Sequence, residues 1–337
     1  MLFGDEQQRL LLLIIICFSV HPLILAMNFT AEPILATDVS DLGEGPHWND
    51  DHQLLYYVDA FAGYVHRYCP RLNLDVKIKL DDLVTIIIPF DQDDDHFLIS
   101  LRNKIIKFNW NQKTFAVIAE CAVEHGGKER FNDGKIDASG RLWIGTVLEG
   151  SNGIVKSGGS LYRLDMNDDR KFIKMAENFT LSNGMAWNHN NTLMYFNDSE
   201  ERKIWLFDFN LDKGTLNNRR LFLDLDEHPM TFKSDEYPDG MTIDSNDLLW
   251  ISMYNGGRIV QIDTQTKQLL LSISIPNVLR TTSLTFGGKN LDEIYVTTGR
   301  DKTNPTDNNN RMDGKIFRIK FHNNEQIKGM KAFQFKF

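Results

Sequence analysis

At four corresponding positions of a repeated segment in this chain, a side chain with an acidic or amide oxygen precedes a glycine. These pairs are Glu44-Gly45, Asp133-Gly134, Asn183-Gly184 and Asp239-Gly240. Each is followed about ten residues later by an apolar, strand-like run. Carboxylate and amide oxygens are hard ligands that suit Ca²⁺, Mg²⁺ or Mn²⁺, whereas zinc more often recruits His or Cys. If three of these residues bound one cation, positions would stay open for water and substrate, as a catalytic metal site needs.

A fold built from radial repeats would bring these oxygens together. Repeats of one supersecondary unit about 40–50 residues long are typical of propellers and solenoids. In several units an apolar strand, a polar turn and two further strands follow in order, which is a hairpin pattern. Glu44, Asn183 and Asp239 then occupy equivalent inner strands that face one axis. One such pair alone would indicate only a turn, but four pairs in register favour a metal site.

Six units of this kind can be read along the chain. They span residues 41–68, 82–110, 130–165, 181–209, 237–263 and 281–320. At the equivalent position the second unit has residues 83–88 and the sixth has residues 281–284, without the pair, so both are expected to contribute shape rather than a ligand. Six units can close into a ring without long exposed sheet edges, and outside the N-terminal stretch no segment has sustained helical periodicity. The predicted fold class is therefore all-β, a single six-bladed β-propeller over residues 32–337 with a central metal site.

Four tryptophans recur within these units, and we expect them to pack between blades. They are Trp48, Trp143, Trp187 and Trp250. The glycine of each pair is expected to permit a tight backbone at the start of the inner strand.

The N-terminal stretch is typical of a secretory leader. Residues 10–20 form an apolar run of 11 residues, which suits a signal peptide better than a membrane span of about 20 residues. We expect residues 1–26 to be a signal peptide cleaved near Ala26, with a signal anchor or a cytosolic protein with an atypical leader as alternatives. Sequons that secretion would permit lie at Asn28, Asn178, Asn190 and Asn197. The expected location is extracellular, with the cytoplasm as the alternative, and no stable membrane association follows cleavage.

The composition limits the classes of function. A net charge of −9 argues against a nucleic-acid partner. None of the three cysteines forms a C-x-x-C pair, so neither a zinc ribbon nor a thioredoxin motif is supported. Removal of the leader would leave Cys69 and Cys121, and the sequence leaves open whether they pair. Sequence signatures of serine hydrolases, zinc proteases, P-loops, dinucleotide sites and EF-hands are absent from the chain.

Five ordered segments closely resemble the regucalcin, senescence-marker-protein and gluconolactonase family, which includes the luciferin-regenerating enzymes of beetles. They are Leu42-Gly43-Glu44-Gly45-Pro46-His47-Trp48, Arg130-Phe131-Asn132-Asp133-Gly134-Lys135, Ser182-Asn183-Gly184-Met185, Tyr237-Pro238-Asp239-Gly240 and Phe286-Gly287-Gly288. The resemblance extends from about Asp41 to Phe337. The extended N-terminus departs from the cytosolic members.

This resemblance implies a six-bladed propeller with one divalent cation in its central tunnel, Ca²⁺ or alternatively Zn²⁺, Mn²⁺ or Mg²⁺. By motif match the metal ligands would be Glu44, Asn183 and Asp239. The substrate would be bound by Arg130, Asn132 and Glu149. Asp133 shares the register of the ligands, but the resemblance favours Asn132 as the residue that faces substrate, so we interpret Asp133 as a supporting residue.

The activity that the resemblance implies is hydrolysis of sugar lactones such as gluconolactone. The cation would act on the ring carbonyl as a Lewis acid, Asp239 would orient or deprotonate the attacking water, and Arg130 would donate to substrate hydroxyls or the nascent carboxylate. Two alternatives are a non-catalytic calcium-binding protein on the same scaffold and a luciferin-regenerating-type hydrolase of another substrate. The expected partner is a small-molecule lactone, and the expected state is a monomer or weak dimer.

Overall fold

The computed structural model of the protein describes residues 28–121, 128–164, 166, 171–301, 312–322 and 327–336. The predicted leader, residues 1–26, lies outside the described residues. Almost all of the regular structure is antiparallel strand, and a 3₁₀ turn at Leu225–Glu227 is the one helical segment in the described ranges. Those ranges contain no helix long and apolar enough to cross a membrane.

Strand β1 (Asn28–Pro33) opens the described chain, and blades 1 to 3 follow it. Blade 1 consists of β2 (Gly43–Asn49), β3 (Leu54–Asp59), β4 (Tyr64–Cys69) and β5 (Leu74–Lys79). Blade 2 consists of β6 (Ile87–Phe90), β7 (Asp93–Leu101), β8 (Lys104–Asn109) and β9 (Thr114–Glu120). Blade 3 consists of β10 (Glu129–Ile136), β11 (Leu142–Gly150), β13 (Gly159–Leu164) and β14 (Phe172–Phe179), and the short β12 (Gly153–Ile154) pairs with β11.

The remaining blades repeat this order. Blade 4 consists of β15 (Ser182–Trp187), β16 (Leu193–Asp198), β17 (Lys203–Asn210) and β18 (Thr215–Asp224). Blade 5 consists of β19 (Tyr237–Ile243), β20 (Leu248–Tyr254), β21 (Arg258–Asp263) and β22 (Leu269–Ser274). Blade 6 consists of β23 (Arg280–Gly287), β24 (Glu293–Gly299), β25 (Phe317–His322) and β1. The prediction of a six-bladed β-propeller is confirmed.

Blade 6 joins the two ends of the described chain. β1 runs antiparallel to β25, from Asn28 opposite His322 to Pro33 opposite Phe317. This strand starts upstream of residue 32, where we placed the start of the propeller. Sequence periodicity could not reveal it, because its partner lies at the other end of the chain. The pairing makes the first described strand the outer strand of the last blade and so closes the ring.

The cores lie between blades, and the tryptophans fill them as expected. The Trp48 ring of blade 1 stacks on Tyr295 of blade 6, with 5.1 Å between ring centroids. Trp143 of blade 3 meets Trp187 of blade 4 edge to face at 6.2 Å. Trp250 is fully buried against the next blade. These aromatic contacts bind each blade to its neighbour.

Neither cysteine that follows the predicted leader forms a disulfide. Cys69 is half-buried at the end of β4, and Cys121 is buried just after β9 in blade 2. Cys121 shares a hydrogen bond with Tyr162. Both thiols are therefore free, and the sequence had left open whether they pair.

Each of the four acidic or amide residues lies at an irregularity of its inner strand. The pairing register shifts between Glu44 and His47, between Phe131 and Gly134, between Ser182 and Met185, and between Pro238 and Met241. A bulge of this kind re-aims a side chain out of the regular alternation. The recurring pair thus marks the place where each inner strand turns a polar side chain towards the axis.

The glycines of these pairs serve mainly to bring neighbouring blades together. Only Gly45 has a positive φ, +53°. A Cβ on Gly184 would lie 2.4 Å from the backbone nitrogen of Met241, and one on Gly240 would lie 2.0 Å from the Ser283 Oγ atom. The predicted tight backbone therefore applies to one copy, while close approach between inner strands explains these two others.

Candidate functional site

A cavity of about 390 Å³ opens at one end of the propeller axis. All three predicted metal ligands line it, together with Arg130, Asn132 and Asp133. They come from the inner strands of blades 1, 3, 4 and 5. Thr85, just before the inner strand of blade 2, also lines the cavity. The symmetry of the repeats therefore gathers these side chains from positions far apart in the sequence.

The cavity concentrates buried negative charge. Burial raises the pKa of Glu44 well above its ordinary value, and the charges of Asp239 and Asp133 raise it further. Burial and Asp133 likewise raise the pKa of Asp239, while a hydrogen bond from the Asn183 amide opposes that rise. Carboxylates that repel one another in a buried site are stabilised by a cation between them.

The donor set fits a hard divalent cation. In the described ranges, no three His, Cys, Asp or Glu side chains lie close enough together to form a metal site by themselves. The predicted set contains only two such residues, Glu44 and Asp239, and the Asn183 amide oxygen completes it. Oxygen ligands of this kind are those that Ca²⁺ and Mg²⁺ prefer, and water or substrate would supply the remaining ligands of a bound ion.

Strand β16 and the turn after it hold the backbone around Asp239. Asn197 Nδ2 donates to the Asp239 carbonyl oxygen at 2.6 Å, and Ser199 Oγ donates to the Pro238 carbonyl oxygen at 2.6 Å. Asn197 is fully buried. The sequon at Asn197 therefore cannot accept a glycan in the folded protein, whereas Asn28, Asn178 and Asn190 are exposed.

Arg130 is held in place from two sides. Its Nε atom lies 2.9 Å from Glu149 Oε1, and its Nη1 atom donates to Asn132 Oδ1 at 3.0 Å. Asn132 Nδ2 in turn donates to the Ser182 carbonyl oxygen of blade 4 at 2.9 Å. Glu149 is 46% exposed and does not line the cavity. Its contact with Arg130 allows it to position that guanidinium group, and its own contact with substrate stays a prediction.

Lys135 is a charged residue of the axis that the sequence reasoning missed. Its ammonium group donates to the Met241 carbonyl oxygen of blade 5. Burial lowers the pKa of Lys135 to about 8, and the nearby Asp133 opposes this shift. The equivalent position holds Pro46, Met185 or Met241 in the other copies. The sequence signal that could have revealed this residue is a lysine at a position where the other copies have apolar residues. The hydrogen bond of Lys135 links blades 3 and 5.

Apolar and aromatic side chains form much of the cavity wall and were also missed. Phe61 is 62% exposed and Ile154 is 38% exposed, and both line the cavity. Leu42, Leu83, Leu181, Tyr237 and Tyr254 line it as well. The cavity thus offers oxygen ligands and a guanidinium group together with an apolar wall, which suits a ligand with both polar and apolar parts.

The fold and the site together define a class: a closed six-bladed propeller with a pocket of buried oxygen donors on its axis. The chain belongs to the SMP-30/gluconolactonase/LRE-like family, whose model matches residues 42–300. It is 33% identical to regucalcin of Homo sapiens over 266 residues, which cover 78% of this chain and 85% of regucalcin.

Solved structures place it in the same group. A luciferin-regenerating enzyme is similar with a TM-score of 0.82 and 31% identity, over 92% of this chain and all of that one. The XC5397 gluconolactonase of Xanthomonas campestris has a TM-score of 0.66 over 87% of this chain and 90% of its own. Its 18% identity supports the shared fold alone.

Proposed function

We propose that this protein hydrolyses lactones of the sugar-lactone class with one divalent cation bound by Glu44, Asn183 and Asp239. Family membership supports the reaction class. The observation that carries the proposal is that these three oxygen donors line the same cavity as Arg130 and Asn132. A binding protein would need the donors for the ion, but it would not need a fixed guanidinium and amide facing the same space.

When bound, a divalent cation at this site would polarise the lactone carbonyl and lower the pKa of a water ligand. Asp239 accepts the proton of the attacking water at a carboxylate oxygen, which is general-base work. Its position is fixed by the Asn183 amide and, through the backbone, by Asn197. Arg130 donates N–H groups to the carboxylate that forms as the ring opens.

The function is tested by assaying the purified protein with gluconolactone before and after treatment with EDTA. We expect hydrolysis to stop in EDTA and to return when Ca²⁺, Mn²⁺, Zn²⁺ or Mg²⁺ is added singly, since the carboxylates then lose and regain their shared partner. Turnover that is unchanged in EDTA would contradict metal dependence. Calorimetric binding of Ca²⁺ without turnover of any lactone would favour the non-catalytic alternative.

Arg130 and Arg102 form a matched pair for testing the substrate clamp. Both contact Glu149, at 2.9 Å and 3.7 Å respectively, but only Arg130 lines the cavity. We expect Arg130→Met to raise KM about tenfold or more, because a charge-assisted hydrogen bond is lost. Arg102→Met should leave KM within about twofold, since an exposed ion pair contributes little. Equal effects in steady-state kinetics would remove Arg130 from substrate binding.

The apolar wall favours a second candidate substrate, a lactone that bears an alkyl or aromatic substituent. Phe61 and Ile154 are exposed at the cavity, where a bare sugar ring would gain little from them. We expect Phe61→Ser to lower kcat/KM for an alkyl-substituted δ-lactone about tenfold, in line with the loss of a buried apolar contact. Hydrolysis of gluconolactone should change less than twofold. A reversed order of these effects in parallel assays would contradict the candidate.

A further inference from the structure

A second cavity, of about 500 Å³, lies further along the axis. It is lined by residues that follow the acidic or amide positions on the same inner strands, such as His47, Lys135 and Trp187. Asp133 lines both cavities and so stands between them. The second cavity is therefore at the opposite end of the axis from the oxygen-donor site, and nothing in the proposed hydrolysis uses it.

The C-terminal segment, residues 328–333, forms the roof of this second cavity. On one side the Lys328 carbonyl accepts from Ser245 N at 2.8 Å, and Gly329 N donates to the Leu291 carbonyl at 2.7 Å. On the other side Phe335 exchanges backbone hydrogen bonds with blade 2, at 2.8 and 3.0 Å. The segment thus crosses the axis from blades 5 and 6 to blade 2 and encloses the space beneath it.

Two residues that line this cavity each carry a buried nitrogen atom without a partner. His47 and Trp187 are each only 7% exposed. His47 Nε2 and Trp187 Nε1 have no hydrogen-bond partner among the residues that the structure describes. A buried N–H group left unpaired is unfavourable. The Trp187 indole N–H is such a group beside the cavity, and His47 Nε2 is a second one in the tautomer that carries the proton there.

The positive charge of the second cavity comes from Lys135 on β10 and from Lys328 and Lys331 in the roof. Burial and the neighbouring Lys135 lower the pKa of His47 to about 3, so the imidazole is neutral at physiological pH. Asp133 is the one carboxylate among the described lining residues, and it stands at the boundary with the first cavity. Lys135 follows it by two residues on β10. A ligand beside the lysine, the imidazole and the indole N–H would meet donors and positive charge.

Apolar side chains form the rest of the wall. Ile86, Ile88, Ile136 and Ile243 are all buried at the cavity, and Phe333 closes it from the roof. We infer that this cavity is a binding site for a small organic monocarboxylate with an apolar body. Its carboxylate pairs with the Lys135 ammonium group beside His47 and Trp187, and its hydrocarbon part contacts the isoleucines. This site is separate from the proposed hydrolysis and stands whether or not lactones are substrates.

The test is isothermal titration calorimetry of the full chain at pH 7 with hexanoate and with hexan-1-ol, a neutral molecule of equal length. We expect hexanoate to bind with a stoichiometry of one and hexan-1-ol to bind at least about tenfold more weakly, because the alcohol lacks the charge that faces Lys135. Absence of hexanoate binding at millimolar concentration, or equal binding of the two, would overturn the inference.

Three variants test whether hexanoate binds in the second cavity and whether a loss of binding reflects unfolding. Lys135→Met should abolish hexanoate binding. Lys135→Met also removes an interblade hydrogen bond and could unfold the chain. Ala332→Phe therefore provides a second variant. Ala332 is half-buried in the roof and lines the cavity, so a larger side chain there takes up cavity space while every inner-strand residue keeps its identity. Arg130→Met is the matched control at the other cavity and should leave binding unchanged. Hexanoate binding that survives Ala332→Phe, or that disappears in Arg130→Met, would contradict this site.

Discussion

Replacing Asp239 with asparagine should lower kcat/KM for lactone hydrolysis by at least about 100-fold, the size expected when a general base is lost. Asparagine keeps the shape of the side chain but removes its charge and its ability to take a proton from water. Asp239 is 6% exposed, and its carbonyl is held by Asn197 independently of the side chain. The backbone of β19 should therefore stay in place. Steady-state kinetics with saturating divalent cation measure the effect.

The unfolding temperature of Asp239→Asn distinguishes the loss of a catalytic group from the loss of the fold. Besides burial, the charges of Asp239 and Asp133 raise the pKa of Glu44, so Asp239 is an unfavourable neighbour for that carboxylate. In EDTA, Asp239→Asn should therefore unfold at the same or a higher temperature than the parent protein. Asp212→Asn, at an exposed aspartate, is the control and should change neither measurement. Parent-like turnover in Asp239→Asn would remove this carboxylate from the mechanism.

Replacing Gly184 with alanine should destabilise the protein by about 3 kcal/mol, the upper range for overpacking in a rigid core. The added Cβ would lie 2.4 Å from Met241 N and 2.5 Å from Asp239 O. Both are backbone atoms of β19, so the clash cannot be relieved by rotating a side chain. Strands β15 and β19 must separate, and Asp239 must move with β19. Urea unfolding followed by tryptophan fluorescence measures the loss.

Gly150→Ala provides the matched control for that prediction. Its Cβ would meet the Val155 side chain at 3.0 Å and the Gly153 carbonyl oxygen at 3.2 Å, at the end of β11 where the chain is only half-buried. We expect a change below about 1 kcal/mol there. If the two variants were equally stable, close approach of the inner strands would not explain why position 184 holds a glycine.

The repeat made the fold and much of the site predictable. Because one unit recurs in register, Glu44, Asn183 and Asp239 could be placed on a common axis before any contact was known, and the structure brings them to one cavity. The motif match added Arg130 and Asn132, which line the same cavity. These residues were accessible to sequence reasoning because their positions follow from local strand geometry and symmetry.

The remaining features depend on contacts that no local pattern encodes. The link from Lys135 to Met241 crosses the axis between two blades that are not neighbours in sequence. The contact of Glu149 with Arg130 depends on the path of β11 beyond the regular sheet. The exposure of Phe61 follows from the way a turn of blade 1 meets the cavity. In each case the side chain's type was evident and its neighbours were not.

The shared blade 6 also sets an order for the assembly of the molecule during synthesis. β1 leaves the ribosome first, but its partner β25 is among the last strands to be made. Blades 1 to 5 each consist of consecutive strands and can form as they emerge, because their contacts are local. β1 must wait with an unpaired edge until residues 317–322 arrive. Protection of this strand in the nascent chain therefore becomes a requirement for a closed ring, and with it for a completed site.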